Sequence, residues 1–115
     1  INAHGTSTQL NDLNETNAIK KVFGKQAYNI PISSTKSYTG HLIGAAGTME
    51  TIFCIKTMQE KIAPATTNLK ERDSNCDLDY IPNIHRKLNN IENVLNINYG
   101  FGGTNSSLIL RNFKK

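Results

Sequence analysis

The chain has 115 residues and 12.7 kDa, with 37% hydrophobic, 19% charged and 7% aromatic residues, which fits one small globular unit and excludes a multidomain layout. The longest apolar stretch, Leu42 to Met58, is broken by Gly44, Gly47, Thr48, Glu50, Thr51, Lys56 and Thr57, and falls short of the roughly 20 apolar residues that a membrane span needs. Thirteen Lys plus Arg against nine Asp plus Glu give +4. That balance suits an acidic partner, but the cations are spread out with no aromatic-interleaved basic stripe, which argues against nucleic acid.

Cys54 and Cys76 are too few for a disulfide framework or a four-cysteine zinc site, and a reducing compartment is expected. The chain opens on Ile1-Asn2-Ala3-His4-Gly5-Thr6 without methionine, signal or transit sequence, so an upstream portion is expected.

In chain order, Asp12 three residues before Glu15 reads as a capping box. Leu13, Ile19, Val22 and Phe23 follow at helical spacing, and Gly24 stops the run, predicting a helix over 12–23. Ile30 and Ile32 alternate around Pro31, predicting a short strand over 28–34 that starts or lies at an edge. Residues 40–61 carry apolar side chains on nearly every side of a helical wheel, predicting a buried helix. Gly40, Gly44 and Gly47 there point to close approach by another backbone or a ligand. Residues 63–93, rich in Asn, Asp, Lys and Pro, read as a long irregular connection. Two strands, 94–99 and 106–113, are joined by the glycine-dense turn Gly100-Phe101-Gly102-Gly103-Thr104-Asn105.

Three loops concentrate residues capable of chemistry: His4 among hydroxyls, Ser33 to His41 leading into the buried helix, and the turn 100–105. His41 near a helix N-terminus is expected as a neutral imidazole that can donate to a developing oxyanion. Taken singly, His4 and His41 also fit structural histidines. His85, between Ile84 and Arg86-Lys87, reads as solvated and without function. No H-x-x-x-H or carboxylate at ligand spacing supports a metal, and none is expected. Lys36, a surface lysine on a plain reading, is expected to tune His41, and Glu15 has the plain alternative of a capping acid. Neither cysteine has the electropositive setting of a thiolate. The glycine turn matches no phosphate-binding pattern.

Taken together, Asn2-Ala3-His4-Gly5-Thr6-Ser7-Thr8, Ser33-Ser34-Thr35-Lys36-Ser37 with Thr39-Gly40-His41-Leu42 and Gly44-Ala45-Ala46-Gly47, and Gly100-Phe101-Gly102-Gly103-Thr104-Asn105 resemble the β-ketoacyl-acyl-carrier-protein synthases, the condensing enzymes of fatty acid synthesis. The resemblance runs from residue 1 to about 111, and Cys76 to Asn83 resembles the type II elongating synthase and its mitochondrial relative more than type I. It implies an α/β thiolase-like fold, with residues 1–115 as the C-terminal half of a duplicated five-layer αβαβα architecture, while the nucleophilic cysteine lies in the other half.

The implied reaction is a decarboxylative Claisen condensation of malonyl-carrier with an enzyme-bound acyl chain, which this piece alone cannot perform. The resemblance implies His4 and His41 as the pair aimed at one thioester oxygen, with Lys36 supporting His41 and Glu15 adding to that support. It also implies Phe101 as a gate whose neighbouring backbone helps form an oxyanion hole, and Thr6 and Thr8 as contacts of the pantetheine arm. The implied partners are acyl carrier protein, malonyl and acyl thioesters and a second copy in a homodimer; no cofactor is expected beyond the carrier's phosphopantetheine. Ile97-Asn98-Tyr99 departs from the Asn-Ser-Phe run usual before the glycine turn, which bears on the shape of the acyl pocket. A polyketide ketosynthase domain and a non-catalytic partner subunit are the alternatives. A bacterial cytoplasm or a plastid-type organelle fits the setting.

Overall fold

A computed structural model describes residues 1–113. Its elements are α1 (Gln9–Phe23), α2 (Lys36–Thr39), α3 (Ala46–Glu60), β1 (Ile62–Ala63), β2 (Arg86–Lys87), β3 (Asn93–Tyr99) and β4 (Asn105–Arg111), with 3-10 turns at Gly24–Asn29, Ile43–Ala45 and Phe101–Gly103.

β3 and β4 form an antiparallel hairpin in which Val94 faces Leu110 and Tyr99 faces Asn105. The first residues extend this sheet on the other side of β3, because Asn2 bridges Asn96 and Ser33 in parallel. Asn2 N–H donates to Leu95 O at 2.8 Å, and Ala3 N–H donates to Ser33 O at 2.8 Å. A buried polar ladder stitches the same segments together. Thr35 Oγ1 donates to Asn2 Oδ1 at 3.1 Å, and Asn2 Nδ2 donates to Asn96 Oδ1 at 3.0 Å. Each amide is satisfied by its neighbour, as burial demands.

Ala3, Ile19, Ala27, Ile32, Leu78 and Ile97 make the main core between α1 and the sheet, and Cys54, Met58 and Val94 join α3 to β3. The connection 63–93 is irregular apart from β1 and β2, as expected. Within it, Leu78 and Ile81 are among the most buried side chains, and Arg86 pairs with Asp79.

Several local expectations are corrected. α1 begins at Gln9, because Thr8 is its N-cap and accepts from Asn11 N–H at 3.4 Å; Asp12 lies inside the first turn rather than capping it. Gly24 ends α1 with φ +55°, as the pattern required. The expected strand over 28–34 is mostly absent: a 3-10 turn runs to Asn29 and only Ser33 bridges, since Pro31 lacks the N–H that a longer ladder needs. The helix expected over 40–61 starts at Ala46, and its buried residues Ala46, Glu50, Cys54 and Met58 form one stripe. Ile52 and Ile55 remain 50% and 42% exposed.

One close approach does demand glycine. Gly5 has φ +43°, and a Cβ there would lie 2.5 Å from Ser34 Cβ, while Ser34 Oγ donates to Gly5 O at 2.7 Å. Gly44 has open space around it. Gly5→Ala is therefore expected to destabilise the full-length protein by about 1–3 kcal/mol and Gly44→Ala by no more than about 0.5 kcal/mol, both read from urea denaturation midpoints.

Candidate active site

Three segments converge at the ends of the central strands: the loop after Ala3, the α2 segment that follows Ser33, and the C-terminal end of β3. His4 is 6% exposed. Its ring stands edge-on to that of His41, centroid to centroid 5.5 Å, and 5.3 Å from the Tyr99 ring.

Glu15 sets the backbone of His4. From α1 its carboxylate accepts His4 N–H at 2.8 Å and Gly5 N–H at 2.9 Å, with Asn11 Nδ2 donating at 3.4 Å. The plain capping reading and the expectation that Glu15 adds to the support of His41 are both replaced by this clasp on the loop that carries His4. Burial raises the Glu15 carboxyl above its ordinary value, against the hydrogen bonds from Gly5 and His4.

Lys36 is buried on α2, and its Nζ donates to Glu50 Oε1 of α3 at 2.5 Å; both side chains are 4% exposed. Asn98 of β3 completes the group: its Nδ2 donates to Glu50 Oε2 at 2.6 Å, and its Oδ1 lies 3.5 Å from Lys36 Nζ and 3.4 Å from His4 Nδ1. Lys36 is thus connected to His4 rather than to His41. Burial first, and the Lys36 charge second, lower the His4 pKa below its ordinary value.

His41 is exposed and lies in the connection before the Ile43–Ala45 turn, five residues ahead of α3, so the expected placement at that helix's N-terminus does not hold. Its orientation comes instead from Ile43 N–H, which donates to His41 Nδ1 at 3.0 Å. Phe101 stands on the turn two residues beyond Tyr99 and is 92% exposed. Thr6 and Thr8 hydroxyls lie 3.2 Å apart. Both line a cavity of about 620 Å³ shared with Gly5, Lys36, His41 and Tyr80.

Glu50, Asn98 and Tyr99 were not foreseen in this role. Glu50 had a signal, as the one acid in the apolar run 42–58, where burial requires a cation. His85 is exposed but not free, since Nδ1 accepts from Ala65 N–H at 3.1 Å and the ring stacks on Tyr38. Burial pushes the Cys54 thiol up to about 11, the wrong direction for a nucleophile. Among the described residues no cluster of His, Cys, Asp or Glu is arranged to hold a metal, and no helix is long and apolar enough to cross a membrane.

Comparison with known proteins gives this geometry its class. Residues 1–70 match the family described as Beta-ketoacyl synthase, C-terminal domain. The chain is 50% identical over 110 residues to the 3-oxoacyl-(acyl-carrier-protein) synthase 2 of Coxiella burnetii, covering 96% of this chain and 26% of that protein. It is 46% identical over 114 residues to the protein of the same name from Synechocystis, covering 99% and 27%. A solved structure of a type II PKS acyl-carrier protein in complex with its ketosynthase bound to the hexaketide superimposes with TM-score 0.95 at 41% identity, over 98% of this chain and 28% of that one. The fold is the thiolase-like fold of the ketosynthases. The chain belongs to the β-ketoacyl synthase family, in its C-terminal domain, and spans about a quarter of the length of the curated relatives it matches.

The depressed His4 pKa favours the folded state above pH 6.5, and that contribution is lost as pH falls through the folded-state value. Glu15 acts in the opposite sense: its contribution is present below pH 4.5 and lost as pH rises through its raised value. An NMR pH titration of the full-length protein is expected to place the His4 midpoint below 6.5; a midpoint at or above that value contradicts the assignment.

Proposed function

We propose that this chain acts as the C-terminal half of a 3-oxoacyl-acyl-carrier-protein synthase, in which His4 and His41 are the histidine pair of a decarboxylative Claisen condensation in fatty acid elongation. The observation that carries the reading is the meeting of the two rings, one buried and one exposed, 5.5 Å apart, with the Lys36–Glu50 pair reaching His4 through Asn98. A neutral imidazole N–H aimed at a thioester oxygen stabilises the enolate left by decarboxylation, where the charge develops. A covalent acyl-enzyme divides the transfer into two easier steps, and its cysteine comes from the other half, so this piece alone does not condense. The exposed Ile52 and Ile55 of α3 offer apolar surface for that half to cover.

Thr6 and Thr8, on the rim of the 620 Å³ cavity, contact the pantetheine arm, and Phe101 gates the acyl site. Lys36 acts on His4, and Glu15 holds the His4 backbone. The carrier protein, acidic against the +4 of this chain, delivers malonyl and acyl thioesters to a homodimer in a bacterial cytoplasm or plastid-type organelle, and no cofactor beyond the carrier's own is used. A polyketide ketosynthase is the second reading, favoured by the TM-score of 0.95 to the type II PKS ketosynthase; the higher identity to the synthase 2 proteins supports fatty acid elongation.

Full-length protein is expected to convert acyl-carrier plus malonyl-carrier into 3-ketoacyl-carrier by mass spectrometry, with His4→Ala and His41→Ala each losing at least about 100-fold. A folded wild type that neither condenses nor decarboxylates malonyl-carrier would sink the enzyme reading in favour of a non-catalytic partner subunit.

A further inference from the structure

We propose that Asn98 is a positioning residue that keeps the imidazole proton of His4 on Nδ1 and so leaves Nε2 of that ring without a proton. The assignment of protons follows from this chain's own contacts; its meaning for a substrate rests on the function proposed above.

The Asn98 amide lies between a group that only donates and a group that only accepts. Lys36 Nζ has no lone pair to offer, and the Glu50 carboxylate has no proton. Nδ2 donates to Glu50 Oε2 at 2.6 Å, and Oδ1 faces Lys36 Nζ at 3.5 Å. Turning the amide over would set its NH2 against the ammonium and its carbonyl against the carboxylate, so the surrounding network determines the orientation. The same Oδ1 lies 3.4 Å from His4 Nδ1. An amide oxygen can only accept, so the hydrogen in that contact belongs to Nδ1. Burial and the Lys36 charge lower the His4 pKa, and a neutral ring protonated on Nδ1 presents a bare Nε2.

His41 is set the other way. Ile43 N–H donates to its Nδ1 at 3.0 Å, and a nitrogen that accepts carries no proton, so the neutral ring keeps its hydrogen on Nε2. Ile43 holds this position at φ +51°, where a β-branched residue is strained. Two separate devices, an oriented amide and a strained backbone N–H, thus give the two rings opposite polarity across 5.5 Å. In the proposed reaction the enolate oxygen takes its N–H from His41, and the lone pair of His4 meets a group that itself donates, such as a thiol or a water. The departure at Ile97-Asn98-Tyr99 then bears on proton placement as well as on pocket shape.

The test is long-range proton–nitrogen NMR of full-length protein carrying 15N-histidine, at a pH where His4 is neutral, beside the condensation assay. Wild type is expected to show the His4 proton on Nδ1 and that of His41 on Nε2. Asn98→Leu, similar in size and without hydrogen-bonding atoms, is expected to move the His4 proton to Nε2, leave His41 unchanged and slow condensation about tenfold. Wild-type His4 protonated on Nε2, or an Asn98→Leu protein that keeps Nδ1–H or full condensation rate, overturns the proposal. The wild-type spectrum decides the tautomers even if the variant fails to fold. Tautomers as stated in a wild type without condensation would reject the reaction and its substrate-facing roles while leaving Asn98's hold on the proton standing.

Discussion

The ion pair between Lys36 and Glu50 is the constraint on which the site depends. Two charges removed from water are tolerated only when each is paired and its remaining hydrogen-bonding capacity is met. Here both side chains are 4% exposed, and Asn98 supplies the further partner. Since the three residues come from α2, α3 and β3, satisfying them fixes those elements against one another. His4 lies against the same amide and within the field of the same ammonium, which adds to burial in lowering its pKa.

The backbone around His4 follows the same logic. Glu15 accepts two consecutive N–H groups from the loop, and Gly5 brings that loop close enough to Ser34 to leave no room for a Cβ. The site therefore contains a carboxyl raised by burial and an imidazole lowered by burial and by Lys36, each displaced toward its neutral form. Residues poised in this way are what proton placement requires. They are held by α1 and the sheet, whereas His41 depends on a strained turn.

Much of the framework was legible because it is local. The periodicity ending at Gly24 and the two strands around the glycine turn are written in adjacent residues, and α1 and the β3–β4 hairpin formed close to their expected bounds. Expectations failed where distant segments decide. The run 28–34 has strand-like residues, but Pro31 limits pairing. The helix expected from residue 40 is preceded by a turn that aims His41, and periodicity does not reveal a backbone N–H reaching a ring nitrogen. His4, His41 and Lys36 stood out by the loops that carry them. The partners of Lys36, Glu50 and Asn98, lie 14 and 62 positions beyond it and resembled a polar break in an apolar run and a minor sequence departure.

Lys36 and Glu50 act as one unit in organising His4, and a double-mutant cycle on the condensation rate of the full-length protein tests this most directly. If the pair is a unit, Lys36→Met and Glu50→Leu each leave one buried charge unpaired, and the double variant is no slower than the slower single variant. Losses that simply multiply would show that the two side chains act independently, and would contradict the account.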